Sequence, residues 1–177
     1  MERWDLYTQD RIRTGETMIR GEEIPEDRCH LVVRVWIVNA KGEYLISRRA
    51  ASRPTFPLLW EAVGGSVVAG EDSLSGALRE AKEEVGIDLA PTEGRLAGSE
   101  VHMAAGGKKY GSIRDVWLFP YDGAVSLKHA TTDEVSCIKW MTASEIEKLH
   151  QAGELVPSSW ESFGLIRDQS IERRKKR

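Results

Sequence analysis

Residues 65–87, GSVVAGEDSLSGALREAKEEVGI, limit what this chain can fold into more than any other stretch. A glycine-bounded loop runs into a segment of helical periodicity, and a further glycine ends it. Asp72 or Ser73 offers a side-chain oxygen to an orphan N–H of the first helical turn. Gly86, followed by apolar Ile87, has the form of a helix C-terminus with glycine in the left-handed conformation. Leu74, Leu78, Ala81 and Val85 recur at spacings of three and four, so they share one face that requires burial. Glu80, Glu83 and Glu84 recur in the same way and converge on a different face.

Three carboxylates on one helical patch repel each other, and without a counter-charge their pKa values rise. A divalent cation resolves the conflict. All-oxygen ligands favour a hard ion such as Mg²⁺, with Mn²⁺ as the alternative, and such an ion takes its remaining ligands from water and substrate phosphates. Arg79 is adjacent in sequence, and Glu71 lies one loop upstream. A fork between Arg79 and Glu71 would lock the helix start to the loop and orient Glu80.

Solvated Glu-rich helix faces are common, and a bare EAKEE segment would be read as one. The spacing decides otherwise. The pattern G-x5-E-x7-R-E-x-x-E-E-x-G is met by Gly65, Glu71, Arg79, Glu80, Glu83, Glu84 and Gly86. At average residue usage such a match arises by chance about once in 10⁸ windows. The pattern is the Nudix box, and the chain strongly resembles a Nudix hydrolase, tightly over the box and loosely over residues 30–150. The resemblance implies an α/β/α sandwich with a mixed β-sheet between helices.

The chain has 177 residues, a formal net charge of −3 and 41% hydrophobic residues, which suits one domain with a sizeable core. No apolar run reaches the length of a membrane span, and no signal-peptide pattern opens the chain. Cys29 and Cys137 are too few for a disulfide framework and have no metal-ligand spacing. These features point to a cytoplasmic protein with no membrane and no nucleic-acid polymer as partner. The expected partner is a small-molecule diphosphate substrate, and a homodimer stays open. The basic run from Arg173 to Arg177 reads as a solvated tail over residues 171–177.

Along the chain, residues 1–28 read as an N-terminal β-hairpin extension to a single domain spanning 1–177. Residues 30–38, rich in Val, Ile and Trp, read as a central strand, and 44–47 as the strand returning from a turn at 39–42. Residues 60–63 form a short strand before the box. Residues 95–103, 112–121 and 135–141 are further strands, with 104–110 a flexible loop. Thr142-x-x-Glu145 is a capping box that starts a helix. Residues 157–166 form a short helix or an irregular packing segment.

Outside the box, Arg48, Arg49 and Arg53 flank the loop at 50–58. Guanidinium groups facing a metal site would grip a diphosphate well. The run Asn39-Ala40-Lys41-Gly42, Leu45, Arg48-Arg49-Ala50, Ser52, Pro57 and Trp60 is similar to the corresponding segment of isopentenyl-diphosphate isomerases, which belong to the same superfamily. That similarity implies Arg49 and Arg53 as diphosphate-binding residues. Gly64 and Gly65 complete the expected substrate-binding set. The isomerases need a catalytic cysteine just after the tryptophan and a histidine metal ligand close behind it, and residues 61–70 contain neither. His30 matches an isomerase ligand in position but reads as structural.

Many Nudix hydrolases bring a further acid to the site from a late loop. Glu134 is the candidate, with Asp133 or Asp115 as alternatives. Most of the six tryptophans read as core, and Trp36 or Trp117 could wall the pocket, a choice that spacing alone does not make. The expected enzyme is therefore a Mg²⁺-dependent hydrolase of a diphosphate linkage. Glu80, Glu83 and Glu84 would hold the metal, and Glu80 or Glu134 would act as base. Arg79 would brace the site, with Glu71 and Gly86 structural. The rival readings are an isomerase of isoprenoid diphosphates and a non-catalytic binding module with the same fold.

Overall fold

The computed structural model describes residues 1–103 and 111–175, with side chains to Arg167. The expected loop at 104–110 lies outside the described residues, as do the last two residues of the tail. The central element is β3 (Cys29–Val38). Apart from His30 and Arg34, its sequence CHLVVRVWIV is apolar on both faces, as suits a strand covered on both sides. It runs parallel to β7 (Gly111–Pro120) over ten residue pairs, from Cys29↔Gly111 to Val38↔Pro120. β6 (Arg95–His102) adds antiparallel to β7. β1 (Arg3–Tyr7) joins the start of β3, and β2 (Arg13–Ile19) pairs with β1, forming the expected hairpin. β4 (Tyr44–Arg49) returns from the turn after β3 and carries β5 (Trp60–Glu61) and β8 (Val135–Met141). The result is a mixed eight-stranded sheet.

Helices cover both faces. Helix α1 (Ser73–Val85) packs Ala77, Ala81 and Val85 onto Leu31, Val33, Val35 and Ile37. Helices α2 (Ala143–Gln151) and α3 (Pro157–Lys175) cover the other face, where Ile146, Phe163 and Ile166 meet Trp36, Tyr44 and Ile46. The capping box of α2 is formed as the sequence requires. Helix α3 is longer than expected. Pro157 occupies its first position, where the missing N–H costs nothing. Its later residues carry no apolar stripe, so periodicity alone could not extend it past Ile166.

Two expectations about single residues resolve here. Trp36 is fully buried, with Nε1 donating to Ser162 Oγ at 3.1 Å, so it fills the core under α3 rather than walling a pocket. His30 is buried, stacks on Trp4 at 4.3 Å, and its Nδ1 meets the Gly111 carbonyl oxygen at 3.1 Å. Burial lowers its pKa to about 4, so the ring stays neutral and structural at physiological pH.

Candidate active site

The N-terminus of α1 is capped by Asp72, whose carboxylate accepts from the Ser75 N–H at 2.7 Å. Gly86 ends the helix in the left-handed conformation at φ 70°. A Cβ there would also press on the backbone of His129 at 2.7 Å, so the position requires glycine twice over. The loop before the helix is pinned to β3 by the bonds Val33 N–H to Gly65 O (2.9 Å), Val35 N–H to Val63 O (2.8 Å) and Val67 N–H to Leu31 O (2.9 Å). This docking brings Gly64 and Gly65 against the helix. A Cβ on Gly65 would stand 2.6 Å from Glu80 Oε1, and one on Gly64 would stand 2.1 Å from the Val33 oxygen. The Gly64 N–H donates to Glu84 Oε2 at 3.2 Å.

Arg79 organises the acidic face. Its Nε lies 3.0 and 3.2 Å from the two Glu71 oxygens, so the expected fork is present. Nη1 donates to Glu80 Oε1 at 2.8 Å and Glu83 Oε2 at 3.0 Å, while Nη2 reaches the Ser66 carbonyl at 2.9 Å. One guanidinium thus ties the loop, the helix and two box carboxylates together. Burial acts to lower the Arg79 pKa, but the hydrogen bonds and charges of Glu71 and Glu80 outweigh it and hold it above its ordinary value.

The acidic and apolar faces of α1 are less separate than their spacing implies. Glu80 and Glu84 are buried alongside Ala77, Ala81 and Val85, whereas Leu74 and Leu78 are only partly buried. Burial pushes the Glu80 pKa up to about 7, against the pull of Arg79, with Glu83 and Glu134 adding repulsion. Burial raises the Glu84 carboxyl well above the usual range too. The charges of Glu80 and Glu61 push the same way, opposed by the Gly64 N–H and by Arg34.

The other expected site residues fall around this face. Arg49 does not present a free fork. Its Nη1 pairs with Glu61, its Nε donates to the Thr55 carbonyl at 2.9 Å and its Nη2 to Thr55 Oγ1 at 3.2 Å. The pair is nearly enclosed, with side chains 11% and 6% exposed. Arg53 pairs with Glu134 at 2.6 Å. The Ala50 N–H bonds to the Glu134 carbonyl at 2.8 Å, so the loop at 50–58 and the loop before β8 meet there. The latter loop is itself anchored on α1, because Thr131 and Thr132 N–H both donate to the Glu83 carbonyl. Asp133 is exposed. Asp115 lies elsewhere, bound bidentately by Arg11 from the β1–β2 turn. Trp117 donates to Ser73 Oγ at 2.9 Å, at the start of α1.

Two residues that sequence reasoning passed over stand beside the box carboxylates. Glu61, on β5, is buried and acts on Glu84. Arg34, on β3, acts on Glu84 too, with Nη1 3.0 Å from where a Gly64 Cβ would be. The signal for Glu61 was its place in the strand leading into the box. Arg34 had a signal too: it is one charge inside an otherwise apolar central strand.

Among the described residues no three acidic, histidine or cysteine side chains are gathered as a ready-made metal cluster, and Arg79 Nη1 bridges Glu80 and Glu83 instead. The donor set still fits a hard cation. It is all carboxylate, and two of its members are buried with pKa values raised by burial and by like charge, which a nearby cation would reverse.

Comparison with known proteins agrees with this geometry. The NUDIX domain model matches residues 29–161. An uncharacterized Nudix hydrolase of Listeria innocua is 36% identical over 160 residues, covering 89% of each chain. The isopentenyl-diphosphate isomerase of Escherichia coli is 35% identical over 89 residues, about half of each chain (50% and 49%). A crystal structure from Deinococcus radiodurans superposes with a TM-score of 0.69 at 25% identity, covering 88% of this chain and 92% of that one. A Francisella tularensis NMN adenylyltransferase/ADP-ribose pyrophosphatase complexed with AMP and a manganese ion gives 0.62 at 18% identity, over 84% of this chain and 43% of that one. The family model covers most of the chain, and the mixed sheet between helices is the fold it describes. The chain therefore belongs to the Nudix family, and within it is a hydrolase acting on diphosphate bonds.

Proposed function

We propose that the chain hydrolyses a diphosphate linked to an organic group, using Mg²⁺ held by Glu80, Glu83 and Glu84, with Mn²⁺ able to replace it. The observation that carries this reading is the pair of buried box carboxylates, Glu80 and Glu84, whose mutual repulsion calls for a cation. When bound, the ion neutralises phosphate charge and lowers the pKa of a water ligand. Glu80 or Glu134 takes the proton from the attacking water. A Glu80 carboxyl with its pKa near 7 is matched to that task at neutral pH. The test is a panel of nucleotide sugars, dinucleoside polyphosphates, damaged nucleotides and isoprenoid diphosphates, assayed for phosphate or monophosphate release. Activity is expected with Mg²⁺ and none with chelator. A panel inert under both conditions would sink the reading.

Arg79 acts as a brace in this scheme, because its donors all meet protein acceptors. Arg79→Ala is expected to lower kcat by about 10- to 100-fold, the usual cost of losing an outer-shell partner, with a smaller change in KM. A rise in KM alone would place Arg79 on the substrate.

The partial similarity to the isomerase raises a second reading, and the thiols speak against it. Cys29 is buried, with Sγ 3.7 Å from Met103 Sδ, and Cys137 sits on β8 opposite Arg48. Among the described residues neither thiol is hydrogen-bonded to a box carboxylate. Isopentenyl diphosphate, if accepted, is expected to be hydrolysed and never isomerised. Proton NMR follows this directly, since isomerisation removes the vinylidene signals. Appearance of dimethylallyl diphosphate would overturn the hydrolase assignment.

A further inference from the structure

Three buried side-chain nitrogens lack a hydrogen-bond partner among the described residues: Arg34 Nε, Arg53 Nε and His102 Nε2. The histidine has a local explanation, since it stands 3.6 Å from Glu100. The two arginines do not. A buried donor without an acceptor is destabilising, so two of them near one acidic face require a reason. Arg53 is beside Glu134, which acts on Glu80, and Arg34 is beside Gly64, which donates to Glu84. The orphaned donors thus belong to two arginines that neighbour the partners of Glu80 and Glu84.

Arg34 differs from its neighbours in a second way. Arg79 is engaged by Glu71, Glu80 and Glu83, Arg49 by Glu61, and Arg53 by Glu134. Arg34 forms no ion pair with a carboxylate among the described residues. Its Nη2 donates to Ser158 Oγ at 3.0 Å, at the start of α3, which holds the guanidinium in place without neutralising it. A half-buried, anchored guanidinium with no carboxylate partner among the described residues and an unpaired Nε, next to a cation site, has the chemistry of an anion contact.

We propose that Arg34, anchored by Ser158, binds a phosphoryl oxygen of the diphosphate on the Glu84 side of the site. Arg49, whose donors are engaged by Glu61 and Thr55, makes no substrate contact. This rests on the proposed function and names an anchor for its substrate. The anion is recognised by charge and fork geometry, so the contact is common to every organic diphosphate and leaves the organic group to other residues.

Calorimetric titration with imidodiphosphate, whose P–N–P bridge resists hydrolysis, tests this in the presence of Mg²⁺. R34A is expected to weaken anion binding by about ten- to hundredfold, the effect of a charged hydrogen bond. R34K keeps the charge but lacks the Nε donor, so it should fall between R34A and the wild type. Titration with Mn²⁺ alone separates this role from a structural one. Removing a positive charge beside Glu84 should leave Mn²⁺ affinity unchanged or tighter. Parallel loss of Mn²⁺ and anion binding, unchanged anion binding in R34A, or wild-type affinity in R34K would each overturn the proposal. So would a wild-type protein that does not bind imidodiphosphate. Such failures beside retained Mg²⁺-dependent turnover would reject Arg34 alone, whereas an inert substrate panel would reject the hydrolase reading itself.

Discussion

Glu84→Gln is expected to cut turnover by at least roughly 10²-fold, since it removes a charge that holds the catalytic ion, while making the metal-free protein more heat-stable. The two effects run in opposite directions for one reason. Glu84 is buried, and burial with the charges of Glu80 and Glu61 raises its pKa well above 4.5. An acid whose folded pKa is raised binds its proton more tightly in the folded state. Its ionisation therefore removes stability as pH rises from about 4.5, the unfolded value, through the folded one. Glutamine carries no such cost, and its side-chain oxygen can still accept the Gly64 N–H. In chelator at pH 8 the variant should melt above the wild type, and at pH 4.5 or below the difference should close. Added Mg²⁺ should raise the wild-type melting temperature more than the variant's. Glu83→Gln should lose turnover similarly without the gain in stability, because Glu83 is partly exposed, at 37%, and paired with Arg79. Near-normal turnover in both variants would end the metal assignment.

Arg49→Ala is expected to act on the fold instead of the substrate. The guanidinium and Glu61 are both nearly enclosed, and removing one member of such a pair leaves the other buried and unpaired. The usual cost is about 3–5 kcal/mol. For a chain of this size that is a fall of roughly 6–20 °C in melting temperature. Replacing both partners by leucine should recover much of the loss, because the penalty comes from the stranded charge and not from the missing attraction. Thermal melts of the two variants measure this, and titration with imidodiphosphate on folded Arg49→Ala protein should show near-normal affinity. A variant that melts like the wild type but has a raised KM would return Arg49 to the substrate, as the similarity to the isomerases implies.

The contrast between α1 and its surroundings shows what each level of description can reach. The helix, its Asp72 cap, its Gly86 stop and the Arg79–Glu71 fork were all legible in the chain, because each depends on residues at most eight apart on one loop and helix. The geometry of the helix and of the short segment leading into it brings those groups together. The same holds for the capping box of α2 and for the strand character of β3.

Other features were decided by tertiary structure. The depth of Glu80 and Glu84 depends on how the box loop docks on β3, through hydrogen bonds from Val33, Val35 and Val67 that no local pattern announces. The meeting of Glu61 with Arg49 depends on the pairing of β4 with β5, and its effect on Glu84 on how α1 docks against the sheet. The link from Arg11 to Asp115 spans 104 positions, and that from Arg34 to Ser158 spans 124. Spacing predicts which residues share an element's face, because backbone geometry is common to all helices and strands. Which faces meet, and which charges are shut away from water there, is set by the register and packing of distant segments. That packing makes Arg49 one half of a buried pair with Glu61, and leaves Arg34, among the described residues, a cation without a carboxylate ion-pair partner.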